Sequence, residues 1–229
     1  MRLKALLRPL VYLSLAGGLA ACGSNPPSPS AATPESTPTA PGTPVAPIRI
    51  GLALGGGAVK GFAHIGVIKM LEANGLAPAV VSGTSAGSVV GALYASGMNA
   101  FELQEKAVAL DETRIRDLQL SSGGLLVGQK LEDYVNEQVG RKPLEQLAKP
   151  FVAVSTRLED GERTVFARGN TGQAVRASSS IPGVFQPVAI GKFHFVDGGI
   201  TSPVPVDAAR QLGADLVIEI GRASCRERV

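Results

Sequence analysis

Gly83-Thr84-Ser85-Ala86-Gly87 is the stretch that decides the fold of this 229-residue chain. The pentapeptide has the pattern G-x-S-x-G, follows the short apolar run 79–81 and begins an alanine- and glycine-rich helical segment. This order predicts a sharp turn from a strand into a helix, with the Ser85 hydroxyl exposed at its apex for nucleophilic attack. Gly83 and Gly87 are the small neighbours that such an elbow requires. The alternative is an ordinary glycine-containing turn.

Strand-like and helix-like segments alternate on both sides of this motif, from residue 48 to residue 220. Short β-branched runs predict strands at 48–54, 79–82, 151–155, 163–167, 193–196 and 214–220. Apolar periodicity predicts helices at 58–74, 86–97, 100–110, 129–139, 172–179 and 206–212. The alternation indicates an α/β fold with a mostly parallel central sheet, and the length suits one domain with a sizeable core.

A glycine-rich segment, Gly55-Gly56-Gly57, follows the first predicted strand and leads into a helix. Backbone N–H groups in this position stabilise an anion. A dinucleotide fingerprint requires a small residue where Lys60 stands, and a Walker loop requires Ser or Thr where Gly61 stands, so the spacing excludes both. An oxyanion hole formed by the three glycine amides remains, with a tight packing turn as the alternative.

The N-terminus has the charge order of a secretory signal peptide. Three basic residues precede the apolar run 10–21, which is too short for a comfortable transmembrane helix. Leu19-Ala20-Ala21-Cys22 is similar to a bacterial lipobox, so residues 1–21 are predicted to be removed and Cys22 to be lipidated. A plain secretory signal is the alternative.

Residues 22–47 are predicted to be a lipidated cysteine followed by a disordered tether, because their Pro-, Ser- and Thr-rich composition cannot bury a core. Acyl chains on Cys22 would anchor the chain to a membrane of the bacterial cell envelope. Residues 221–229 abandon the preceding strand pattern. We expect these residues to be a non-native tail and the folded domain, 48–220, to continue in the natural protein.

The basic character of the chain, with a pI near 9.0, comes from its two ends. Between Pro9 and Gly221 there are 16 basic and 18 acidic residues. This balance removes the electrostatic support for nucleic-acid binding. Apart from Cys22 the only cysteine is Cys225, in the expected non-native tail, so neither a disulfide nor a cysteine-based metal site is predicted.

Four blocks of sequence, in this order, resemble those of bacterial patatin-like phospholipases: 55–67 (GGGAVKGFAHIGV), 83–87 (GTSAG), 176–187 (RASSSIPGVFQP) and 197–199 (DGG). Together they span nearly all of the folded region. The resemblance implies a three-layer α/β/α sandwich and a membrane-lipid acyl hydrolase that needs neither a metal nor a cofactor. It also implies a Ser-Asp dyad, formed by Ser85 and Asp197.

The histidines of the chain fit a dyad better than a triad. In a serine triad on an α/β-hydrolase sheet the His follows the acid, and no His follows Asp197. His64 is interpreted as a packing or capping residue. His194 lies an odd number of residues before Asp197 in a predicted strand, so its side chain points to the opposite face. Read alone, Asp197-Gly198-Gly199 is also an ordinary turn.

Lys60 and Arg176 are candidate contacts for a phosphate head group, with a helix-surface cation or a buried ion-pair partner as the alternative. The leading hypothesis is a lipid-anchored serine acyl hydrolase for phospholipids or lysophospholipids. Its rivals are a general esterase or thioesterase for soluble acyl esters and a catalytically silent binding lipoprotein. Acyl-chain preference, membrane face and oligomeric state do not follow from the sequence.

Overall fold

Nine strands are present in the computed structural model, which describes residues 47–110, 118–121 and 124–221. Their bounds are β1 Ile50–Leu54, β2 Val80–Thr84, β3 Leu118–Ser121, β4 Gly124–Leu126, β5 Phe151–Arg157, β6 Arg163–Phe166, β7 Val188–Ile190, β8 Phe193–Asp197 and β9 Leu216–Ile220. Seven of them form one sheet, and β3 and β4 form a separate two-stranded sheet. The predictions for Cys22, the signal peptide, the tether and the tail beyond Gly221 lie outside the described residues.

All six predicted helices are confirmed. They are α1 Phe62–Ala73, α2 Ala86–Ala95, α3 Ala100–Val108, α4 Gln129–Gln138, α5 Thr171–Ser178 and α6 Val206–Gln211. The first begins as a 3-10 turn at Ala58–Gly61 and becomes α-helical at Phe62. No helix of the described residues is long and apolar enough to cross a membrane.

The strand order of the large sheet is β7-β8-β5-β2-β1-β9, with β6 paired to β5 as well. Strands β9, β1, β2 and β5 are parallel, but β6, β7 and β8 run antiparallel to their neighbours. The prediction of a mostly parallel sheet is therefore correct for one half only. The reason is the short connections, because residues 158–162 and 191–192 leave no room for the crossover that parallel strands need.

Strand β5 separates two layers of helices, since successive side chains point to opposite faces of a sheet. Phe151 and Ala153 pack into the large core formed with α1 to α5, whereas Val152 and Val154 pack against Ala208 of α6 on the other face. The architecture is a mixed α/β fold in three layers. The carboxyl ends of β1 and β2 lie side by side, and the glycine-rich segment and Ser85 follow directly from them.

Candidate active site

Ser85 occupies a strained turn between β2 and α2. Its backbone dihedral angles are φ 53° and ψ −127°, in a region that non-glycine residues rarely adopt. The residue is buried and lies at the edge of a cavity. Strain of this kind is characteristic of a nucleophile elbow, in which the turn lifts the hydroxyl out of the sheet.

Gly83 and Gly87 permit the close approach of α2 to the sheet. A Cβ atom at Gly83 would lie 2.6 Å from the Gly87 carbonyl oxygen. A Cβ atom at Gly87 would lie 2.2 Å from the carbonyl oxygen of Leu54. Both contacts are with backbone atoms that cannot move aside, so the two glycines have the steric role predicted for them.

Ser178 holds the elbow in place from the end of α5. The Ser85 N–H donates a 2.9 Å hydrogen bond to the Ser178 hydroxyl oxygen, and that hydroxyl in turn donates to the Val154 carbonyl oxygen at 2.5 Å. All three residues are buried. The chain of bonds ties Ser85 to β5, and sequence reasoning missed it because nothing local distinguishes Ser178 from the two serines that follow it.

Asp197 ends β8, and its side chain is buried beside the elbow. Its Oδ1 atom accepts a 2.6 Å hydrogen bond from the Gly199 N–H, and its backbone N–H donates to the Ser180 carbonyl oxygen at 2.8 Å. Its Oδ2 atom is fully buried and has no partner with regular hydrogen-bond geometry in the described part of the chain. Asp197 therefore carries an unsatisfied acceptor.

Burial raises the pKa of the Asp197 carboxyl, and hydrogen bonding from the Ser85 side chain and the Gly199 N–H opposes that rise. The Ser85 hydroxyl is thus near enough to act on the carboxylate, although the contact lacks the alignment of a full hydrogen bond. The contact between the Ser85 hydroxyl and the Asp197 carboxylate is therefore loose. Catalytic hydrogen bonds are often loose before substrate binds and tighten in the complex.

The glycine-rich segment lies against the nucleophile, since a Cβ atom at Gly56 would be 3.3 Å from the Ser85 Cβ. The N–H groups of Gly55 and Gly56 already donate to the carbonyl oxygens of Ile220 and Pro203, at 2.9 and 3.0 Å. The predicted oxyanion role of these two amides is therefore corrected. The Gly57 N–H has no acceptor among the described residues.

Two further amides, which sequence reasoning missed, are candidate oxyanion donors. Ala58 and Ala86 line the cavity with Ser85, and each is the first residue of a helical segment, where N–H groups have no intrahelical partner. The rule that the residue after a nucleophilic serine supplies an oxyanion donor would have identified Ala86.

His64 forms a hydrogen bond with the glycine-rich segment. Its Nε2 atom lies 2.8 Å from the Gly55 carbonyl oxygen, which can only accept, so Nε2 carries the proton. Burial lowers the pKa of His64, and the imidazole is neutral. The other histidine, His194, is exposed and pairs with Glu159, on the opposite face of the strand from Asp197, as alternation predicts.

The two candidate head-group cations differ in their surroundings. Arg176 forms a partly buried ion pair with Glu132 at 3.1 Å and donates to the Val127 carbonyl oxygen at 2.9 Å. Arg176 therefore matches the alternative interpretation, that of an ion-pair partner, and the prediction that it contacts a phosphate head group is wrong. Lys60 is exposed between Val59 and Gly61, both of which line the cavity, and remains a candidate. No group of His, Cys, Asp and Glu in the described residues is arranged to hold a metal.

The cavity at Ser85 has a volume of about 380 Å³ and is mostly apolar. One face of α2 forms a wall that leads away from the nucleophile, with Ala86, Val89, Val90 and Leu93 spaced as neighbours on a helix. Of the described residues that line the cavity, only Lys106 is charged. Such a cavity suits an unbranched hydrocarbon chain attached to the group that Ser85 attacks.

Comparison with known sequences identifies a patatin-like phospholipase domain over residues 52–210. An uncharacterised NTE family protein of Mycobacterium tuberculosis is 38% identical over 174 residues, 75% of this chain and 48% of that protein. Lysophospholipase NTE1 of Pyricularia oryzae is 30% identical over 186 residues, 79% of this chain and 12% of that protein. The chain thus spans about half the length, or less, of the curated relatives it matches.

Comparison with solved structures supports the fold independently. The crystal structure of VipD from Legionella pneumophila aligns with a TM-score of 0.56 and 18% sequence identity, covering 68% of this chain and 46% of that one. At this level of identity the match concerns the fold alone.

Proposed function

This chain belongs to the patatin-like phospholipase family, and from that premise we propose that it is a serine hydrolase for the fatty acyl esters of phospholipids or lysophospholipids. The observation that carries the proposal is the buried Asp197 carboxylate beside Ser85, at the edge of an apolar cavity. A nucleophile, a base and space for an acyl chain therefore converge on one point.

In the proposed reaction Ser85 attacks the ester carbonyl carbon while Asp197 takes the proton of the hydroxyl. The amides of Gly57, Ala58 and Ala86 stabilise the oxyanion. Asp197 then returns the proton to the leaving alcohol, and in the second half of the reaction it activates the water that cleaves the acyl-enzyme. A raised pKa favours this role, because a carboxylate of ordinary pKa is a poor base for a serine hydroxyl.

The preference for lipid esters rests on the cavity. Its apolar walls would bury a hydrocarbon chain, and burial contributes about 0.8 kcal/mol for each methylene group. Lys60, near the mouth, is a candidate contact for the phosphate head group. We further propose that a lipid anchor at Cys22 holds the enzyme at the bacterial cell envelope, which would keep the substrate local.

The test combines active-site labelling with lipid hydrolysis by the full chain. We expect a fluorophosphonate probe to modify Ser85, located by peptide mass spectrometry, and lysophospholipid to release fatty acid. Ser85→Ala should lose both. Ser96→Ala is the matched control, because Ser96 lies at the other end of α2 and its hydroxyl donates to the Leu93 carbonyl oxygen, away from the site. Labelling at another serine would exclude Ser85 as the nucleophile.

The rival functions predict different results in the same assays. A soluble esterase or thioesterase would cleave short-chain esters and leave dispersed phospholipid untouched. A silent binding lipoprotein would neither react with the probe nor hydrolyse any ester. The strained turn at Ser85 and the unsatisfied Asp197 carboxylate argue against a protein without catalytic activity, because both features destabilise the fold without contributing to the core.

A further inference from the structure

Residues 178–180 connect the nucleophile to the base. The Ser178 hydroxyl oxygen accepts a hydrogen bond from the Ser85 N–H, and the Ser180 carbonyl oxygen accepts one from the Asp197 N–H. The residue between them, Ser179, is 8% exposed and lines the cavity that contains Ser85. Ser179 is therefore placed between the two groups that perform the proposed reaction.

The three consecutive serines differ in how their hydroxyl groups are satisfied. Ser178 donates to the Val154 carbonyl oxygen and Ser180 to the Arg176 carbonyl oxygen, at 2.5 and 2.8 Å. The Ser179 hydroxyl is fully buried and has no partner in the described part of the chain. An unpaired buried hydroxyl destabilises the folded chain, so the Ser179 hydroxyl points to a partner that arrives with the substrate.

A bound fatty ester offers few candidates for that partner. Its carbonyl oxygen faces the amides of the oxyanion hole, and its hydrocarbon chain has no polar atom. The remaining acceptor is the alkoxy oxygen, which becomes the leaving alcohol. In the second half of the reaction the attacking water occupies the position that this alcohol has left.

We propose that the Ser179 hydroxyl donates a hydrogen bond to the alkoxy oxygen of the ester at Ser85, and later to the hydrolytic water. This role rests on the proposed function. Ser179 moves no proton in either step, since Asp197 carries the proton from Ser85 to the leaving oxygen. Its contribution is to orient that oxygen towards Asp197 and to stabilise the charge that develops on it as the bond to the acyl carbon breaks.

The test compares Ser179→Ala with the wild-type full chain on two substrates with the same acyl group, an oxoester and a thioester. We expect kcat/KM for the oxoester to fall about 5- to 10-fold, the effect of one neutral hydrogen bond. The loss for the thioester should be smaller, because sulfur is a weak acceptor. The melting temperature should stay equal or rise, because the substitution removes an unsatisfied group.

Ser180→Ala is the contrasting variant, since it removes a hydroxyl that is satisfied and should lower the melting temperature. Equal losses of Ser179→Ala on oxoester and thioester, a fall in its melting temperature, or an unchanged kcat/KM would each overturn the inference. A wild-type chain that cleaves neither substrate would overturn the proposed function and this role with it. An active wild type with an unaltered oxoester-to-thioester ratio in Ser179→Ala would overturn only the role of Ser179.

Discussion

The Ser85 N–H donates a 2.9 Å hydrogen bond to the Ser178 hydroxyl oxygen across 93 positions of the chain. Ser85 has a positive φ angle, and its N–H donates to a side chain instead of a backbone carbonyl oxygen. Ser178 gives that amide a buried acceptor and fixes the acceptor on β5 through Val154. Together with the hydrogen bonds that the Ser85 carbonyl oxygen accepts from Ser88 in the first turn of α2, this contact holds the strained turn in place.

Replacing Ser178 by Ala should therefore loosen the elbow. The Ser85 N–H would lose its acceptor, which lowers the free energy of unfolding by about 1–3 kcal/mol. Displacement of the nucleophile should lower kcat by on the order of 10- to 100-fold. Chemical denaturation and lysophospholipid hydrolysis measure the two effects, with Ser96→Ala as the control. A variant with wild-type kcat would show that the bond does not position the nucleophile.

The clearance at the elbow predicts opposite effects for two Gly→Ala substitutions. In Gly87→Ala the new methyl group would meet the carbonyl oxygens of Leu54 and Gly55 at 2.2 and 2.6 Å, and we expect a loss of about 3 kcal/mol or failure to fold. In Gly66→Ala, within α1, the methyl group meets nothing within 4 Å, and we expect a gain of about 1 kcal/mol. Thermal denaturation of both variants provides the comparison, and equal melting temperatures would contradict the packing described here.

The buried imidazole of His64 predicts a pH dependence of stability. Burial places the pKa of His64 in the folded chain below its ordinary value of 6.5, so acid protonates the unfolded state first. The wild-type free energy of unfolding should therefore fall as the pH drops below about 6.5, through the lowered pKa. In His64→Gln this component is absent, and the difference in stability between wild type and variant should shrink in acid. A difference that stays constant with pH would contradict the assignment of a neutral His64.

The buried carboxyl of Asp197 predicts a pH dependence of stability that is opposite in sign to that of His64. Its pKa is raised above the ordinary 3.8, so ionisation at neutral pH destabilises the folded state, and this loss develops as the pH rises through the window above 3.8. Asp197→Asn should therefore have a higher melting temperature than the wild type at pH 7. The advantage should vanish as the pH approaches the range where the carboxyl is protonated in both states. A melting temperature of Asp197→Asn below that of the wild type at pH 7 would show that the carboxylate stabilises the folded state.

The elbow and all six helices follow from the sequence, because glycine spacing and apolar periodicity are local signals. The antiparallel half of the sheet does not follow from the sequence. Strand β7 has only three residues and shows no period of its own, so the sequence does not predict the hairpin that joins it to β8 through Gly191-Lys192. Strands β5 and β6 are both predicted from the sequence, but their antiparallel pairing is not, although Asp160-Gly161 marks the turn between them.

The sequence predicts Ser85 and Asp197 as site residues. It does not show which backbone amides are free to bind an oxyanion. The Gly55 and Gly56 amides are occupied by acceptors that the fold brings from Ile220 and Pro203, more than 140 positions away in sequence. Residues 178–180 are three identical letters, and only their contacts distinguish a support for the elbow from a hydroxyl in the cavity. Contacts between residues far apart in the chain determine which amides are occupied and which serine faces the cavity. No local sequence pattern encodes such contacts.

The most direct measurement of the central claim is the turnover of lysophospholipid by full-length Asp197→Asn at pH 7.5. The amide keeps the shape of the side chain but cannot accept the Ser85 proton, so we predict a fall in kcat on the order of 10³- to 10⁴-fold, with an unchanged circular dichroism spectrum. Turnover within tenfold of the wild type would contradict the account, because Asp197 would then not be the base for Ser85.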